Sequence, residues 1–114
     1  MFMETGNCYT ASMNIPNLDH ILLQQLNGIP QGKVVTYGDL AKMAGAPNHA
    51  RYVGSLLKKL PKDTHLPWHR VINSQGKISF PKDSDEFNEQ KKRLEQDGIV
   101  MLNGKVNLKL YRFC

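Results

Sequence analysis

In "NLDHILLQQLNGIP", Leu18, Ile21, Leu22 and Leu26 recur at spacings of three and four, which gathers them on one stripe of an α-helix. Asn17 is placed to cap that helix, and Gly28 with Pro30 to end it. "TYGDLAKMAGAP" predicts a second, short helix: Thr36 with Asp39 three residues on resembles a capping box, and Gly45 marks the stop. After the "GAPN" turn Asn48 is the expected cap of a third helix. There Ala50, Val53, Leu57 and Leu60 face inward, while Arg51, Ser55, Lys58 and Lys62 share the outer face. Two short helices joined by a Gly-Pro turn, the second basic outside, predict a helix-turn-helix.

Downstream the period changes. "VINSQGKIS" holds two short β-prone pieces around Asn73 to Gly76, a pattern for a small hairpin or wing. "SDEFNEQKKRLEQDG" reads as a helix with acids in its first turn, bases later and Gly98 as its stop. "IVMLNGKVNLKLYRF" alternates about an Asn-Gly pair, which predicts a closing hairpin with Val106, Leu108 and Leu110 on one face of its second strand. The expected fold is one mostly α domain with small β elements over residues 15–114, after a flexible lead-in at 1–14.

Length and composition narrow the function. A chain of 114 residues has room for one modest core. Its apolar runs fall well short of the roughly 20 residues of a membrane span, and the lead-in has neither the basic nor the apolar region of an export signal. With Cys8 and Cys114 at the two ends and no framework between them, a reducing, cytoplasmic compartment is expected. The charge is unevenly spread: residues 48–82 hold seven bases (Arg51, Lys58, Lys59, Lys62, Arg70, Lys77 and Lys82) and one acid, Asp63. The net +5 of the whole chain therefore resides there, as in a surface that meets a polyanion or in a merely solvated basic face.

The candidate chemistry lies in "PWHRVI", which contains the chain's single tryptophan. Taken alone, Trp68 suits a core, His69 a satisfied buried histidine, and Arg70 a clamp on backbone carbonyls. Gly54, in mid-helix, suggests a close approach to DNA or to another helix. His65 and His69 at i, i+4 lack further ligands at metal spacing, so neither metal nor cofactor is expected.

In order and spacing, "GKVVTYGDLAKMAG", "HARYVGSLLKK" and "PWHRVINSQGKIS" together resemble the C-terminal DNA-binding domain of the O6-alkylguanine-DNA alkyltransferases over roughly residues 17–102. In that family the last motif is Pro-Cys-His-Arg and its cysteine accepts the alkyl group. With Trp68 in the cysteine's place, the chain looks like the alkyltransferase-like relatives, which bind alkylated guanine without repairing it directly. The resemblance implies a winged helix-turn-helix that enters the minor groove of duplex DNA and rotates the damaged nucleotide into a pocket. Tyr37 then matches the residue that crowds the target's 3′ phosphate, and Arg51 the finger that fills the vacated stack. Trp68, His69, Val71 and Lys82 match the lesion pocket, and Lys58 and Lys59 are placed for phosphates.

Two positions depart from the family pattern. Pro81 stands where the family offers a polar side chain to the lesion, with Lys82 beside it, and His49 and Tyr52 are bulky neighbours of Arg51. Asp97 falls where the alkyltransferases carry the glutamate of their proton relay. The implied protein is a non-enzymatic monomer without membrane contact, cytoplasmic and at the nucleoid when on DNA, that hands lesions to nucleotide excision repair proteins. The competing reading is a transcriptional regulator using the same helix-turn-helix without lesion specificity.

Overall fold

A computed structural model describes residues 17–113; the lead-in at 1–14 and both cysteines lie outside them. The elements run α1 (Leu18–Asn27), β1 (Val35–Thr36), α2 (Tyr37–Met43), α3 (Ala50–Lys58), a one-turn 3-10 helix (Trp68–Arg70), β2 (Val71–Ile72), α4 (Asp85–Gln96), β3 (Met101–Leu102), β4 (Lys105–Val106) and α5 (Leu108–Tyr111). This is the expected mostly helical architecture. No helix among the described residues is long and apolar enough to cross a membrane.

The α2 N-terminus forms as its sequence dictates. Thr36 Oγ1 accepts the Asp39 N–H at 3.0 Å and Asp39 Oδ2 accepts the Thr36 N–H at 3.1 Å, closing the capping box. Gly45, at φ 83°, lets the Ala46 N–H return to the Ala41 carbonyl at 2.8 Å and ends the helix. The other two caps differ from expectation. Asn17 precedes α1 in a left-handed conformation (φ 57°) and makes no side-chain cap bond, because that bond requires an extended backbone at the cap. At α3 the chain already turns through a His49 N–H to Ala46 carbonyl bond of 3.0 Å. The helix therefore starts one residue late, with His49 rather than Asn48 at its boundary and no side-chain cap.

A short parallel pair lies between two apolar clusters. Val35 pairs with Val71 and Thr36 with Ile72. Since successive side chains of a strand point to opposite faces, Val35 and Val71 join the cluster under α1, α2 and α3 with Leu22, Leu26, Leu40 and Val53. Val34 and Ile72 join the other, with Ile78, Leu94, Ile99 and Val106. The expected hairpin across residues 71–79 is replaced by this pairing. Val71 and Ile72 are both buried, 1% and 0% exposed, and β1 is the apolar neighbour that covers them. The Asn73 side chain instead closes a loop by accepting the N–H groups of Gln75 and Lys77, both at 2.9 Å.

That loop is tied to the closing hairpin, where Gly76 accepts the Val106 N–H at 2.8 Å. The Asn-Gly hairpin is present, with Met101 opposite Val106 and positive φ at Asn103 and Gly104 (54° and 76°), as its tight turn needs. Its second strand ends early. Asn107 caps a helical turn by accepting the Lys109 N–H at 3.0 Å, so Val106 is buried while Leu110 is 61% exposed, and Val106, Leu108 and Leu110 do not share a face.

Candidate nucleic-acid interface

Tyr37 is the first residue of α2 and Arg51 lies in the first turn of α3. Gly54 faces the other helix rather than solvent alone: a Cβ added there would stand 4.0 Å from Tyr37 Cε1, an ordinary contact. Arg51, one turn before Gly54 and exposed, lies close along the same helix, with Lys58, Lys59 and Lys62 also exposed. Tyr52 turns from this face, because its hydroxyl donates to the Asp19 carboxylate on α1, and His49 meets its ring edge-on at 6.2 Å. Val53 supplies the buried face beneath. The helix ends at Lys58, short of the expected Leu60 and Lys62, so Arg51 and Lys58 are displayed on a helix held by its apolar side, while Lys59 caps its end and Lys62 follows in the turn beyond it.

Arg70 is not part of that display. Its guanidinium donates to Asp97 Oδ2 at 2.8 Å and to the Ile29 carbonyl at 2.8 Å, pinning the motif's turn to the end of α4 and to the segment after α1. This is the clamp that the residue type suggested. His69, 7% exposed, shares the same carboxylate through Nε2 at 2.9 Å. Gln90 holds the turn from below, donating to the carbonyls of His69 (3.1 Å) and Val71 (2.9 Å). Asp97, Gln90 and Ile29 thus fix the backbone on which Trp68 stands.

The candidate pocket residues are unevenly placed. Trp68 is half-buried and meets the rings of His69 and Phe80 edge-on, at 6.3 Å and 6.2 Å. Val71, expected in the lesion pocket, instead lies in the core with its carbonyl taken by Gln90, while Lys82 is exposed on the loop that follows Phe80. Two open clefts of about 470 and 370 Å³ adjoin His69 and Arg93, and Trp68 lines neither. Among the described residues no cluster of three or more His, Cys, Asp or Glu could hold a metal.

Two side chains had no signal in the sequence pattern. Arg93, on α4, carries its guanidinium over the Trp68 ring at 5.4 Å and pairs with Glu89 at 2.6 Å. Arg112, near the C-terminus, donates to both oxygens of the capping carboxylate Asp39, at 2.8 and 2.6 Å, and so braces the end of α2 that bears Tyr37.

These contacts give stability a definite pH dependence. Burial pushes His69 below its ordinary 6.5, outweighing the pull of Asp97. Burial would raise Asp39 and Asp97, yet the hydrogen bonds from Arg112 and Thr36, and from Arg70 and His69, leave both below 3.8. All three groups bind protons less readily folded than unfolded, so stability rises with pH across each range. The melting temperature is expected to fall below 6.5 as unfolded chains gain the His69 proton, and to fall again below 3.8 as they gain those of Asp39 and Asp97. Scanning calorimetry across that range checks it; a maximum on the acid side would contradict these assignments.

Residues 17–99 match the model of the 6-O-methylguanine DNA methyltransferase DNA-binding domain. A DNA base-flipping protein of Vibrio parahaemolyticus is 47% identical over 100 residues, 84% of this chain and 98% of that one. Alkyltransferase-like protein 1 of Schizosaccharomyces pombe is 52% identical over 71 residues, 62% of this chain and 66% of that one. The fold superposes on the crystal structure of S. pombe Atl1 in complex with damaged DNA containing O6-carboxymethylguanine with a TM-score of 0.81 at 39% identity, covering 90% of this chain and 99% of that one. The chain therefore belongs to the family of the 6-O-methylguanine DNA methyltransferase DNA-binding domain, among its alkyltransferase-like members.

Proposed function

We propose that this protein recognises O6-alkylguanine in duplex DNA from the minor groove, extrudes the damaged nucleotide and holds it with its alkyl group in place. It acts as a cytoplasmic monomer, and the complex flags the lesion for nucleotide excision repair. One observation carries the reading: Trp68 stands where the motif resemblance puts the alkyl-accepting cysteine, in a fold that matches a protein solved on O6-carboxymethylguanine DNA. Alkyl transfer needs a thiolate nucleophile. An indole supplies none, and Cys8 and Cys114 stand outside every motif of the site. A guanine alkylated at O6 pairs weakly, which lowers the cost of extrusion and preselects the lesion. Arg51 can then fill the gap with a planar cation that stays close to phosphates, and Trp68 gives the extruded base an aromatic face.

Titration of matched duplexes with and without O6-methylguanine, repeated over a range of salt, tests this. Each phosphate contact should add about −0.9 to the slope of log K against log salt. Lys58→Ala or Lys59→Ala is expected to flatten that slope and weaken both duplexes alike, with lesion preference kept. Equal affinity of the unaltered protein for the two duplexes would favour the regulator instead.

A further inference from the structure

We propose that Arg93 is a positioning residue for lesion recognition, clamping the Trp68 indole so that its remaining face is presented to the extruded base; this rests on the function proposed above. Trp68 is anchored on several sides. The Arg93 guanidinium covers one face at 5.4 Å from the ring centroid. Phe80 and His69 meet the indole edge-on, each at 90°. The ring is only half-buried, so part of it is left for a flat ligand.

Arg93 is itself held. Its Nε donates to Glu89 Oε2 at 2.6 Å, one turn earlier on α4, and Leu94 beside it is fully buried. The clamp is therefore built on a helix anchored in the second core cluster, away from the helix-turn-helix. A planar cation over an indole is attractive and needs a defined ring orientation, and a side chain already held in its binding pose loses less freedom when the ligand arrives. A freely turning indole would present its face to a base only part of the time.

Trp68 is the single tryptophan, so its emission reports the clamp in the free protein. Arg93→Ala is expected to increase acrylamide quenching of that emission and to weaken binding to an O6-methylguanine duplex about three- to tenfold, with affinity for the undamaged duplex unchanged. Arg93→Lys, which keeps the charge but loses the plane, should fall between, and Glu89→Gln should raise quenching in the same direction. Melting curves verify that each variant is folded; should Arg93→Ala fail to fold, Arg93→Lys and Glu89→Gln carry the comparison. Unchanged quenching overturns the clamp. Increased quenching with lesion preference intact overturns its role in recognition, and equal losses on both duplexes would make Arg93 a phosphate contact. If the unaltered protein shows no lesion preference, the functional reading fails, and quenching alone decides whether Arg93 holds the indole.

Discussion

Arg51→Ala is expected to weaken binding to an O6-methylguanine duplex by roughly 100-fold, which at about 1.4 kcal/mol per tenfold is a loss near the few-kcal/mol cost of extruding a base. The size follows from what the residue offsets. Once the nucleotide leaves the stack, its neighbours lose contact on both sides, and only a flat group inserted from the groove restores it. Arg51 is exposed in the first turn of α3, and Tyr52 beside it is drawn away by Asp19. Among the described residues Arg51 has no hydrogen-bond or ion-pair partner to surrender on entering DNA. Its loss should leave the fold intact, since it supports no core.

Trp68→Ala should cost less, about 1–3 kcal/mol, because its proposed role begins only after the base has arrived, and the loss should grow with the size of the alkyl group. Tyr37→Ala should resemble Arg51→Ala, whereas Tyr37→Phe should be mild if bulk rather than the hydroxyl crowds the phosphate. A fluorescent base analogue at the lesion separates these roles: Arg51→Ala should lower extrusion itself. Full extrusion and affinity in a folded Arg51→Ala protein would remove the finger from the mechanism.

The largest effect on stability is expected at Gly76. Its φ is 82°, and a Cβ built there would stand 2.5 Å from the Val106 carbonyl oxygen. The left-handed conformation alone costs a non-glycine residue about 1–3 kcal/mol. Backing away from the clash would stretch the 2.8 Å bond from the Val106 N–H to Gly76, and with it the attachment of the Asn73–Gly76 loop to the closing hairpin. Gly76→Ala should therefore destabilise the domain by about 3 kcal/mol or more, a fall in melting temperature of roughly 12–24 °C or more at about 4–8 °C per kcal/mol. A shift of only a degree or two would mean that the loop can leave β4 at little cost. Gly54→Ala makes the contrast, since its added methyl meets Tyr37 at an ordinary 4.0 Å.

The two glycines also mark where the sequence could be read and where it could not. Local signals were legible: the Thr36–Asp39 capping box, the Asn103–Gly104 turn and the apolar stripe of α1 each involve residues within a few positions of one another. What escaped was set by distant partners. "VINSQGKIS" has two β-prone pieces about a turn, but Val71 and Ile72 pair with Val35 and Thr36, far back in the chain. The run after Val106 alternates like a strand, yet Asn107 caps a turn of helix there. The site followed the same division. Motif order marked Tyr37, Arg51 and Trp68 as candidates, whereas Arg93 over the indole and Arg112 on Asp39 arise from packing between elements and leave no periodic trace. Arg70, counted with the basic surface from its position, proves to be spent on Asp97 and Ile29.

The claim that this protein recognises the lesion without repairing it is tested most directly by intact mass spectrometry of both partners after prolonged incubation with an O6-methylguanine duplex at saturating concentration. The account predicts a stable complex from which protein and DNA are recovered with their masses unchanged. A methyl group gained by the protein at Cys8, Cys114 or any other side chain, with its loss from the DNA, would contradict it.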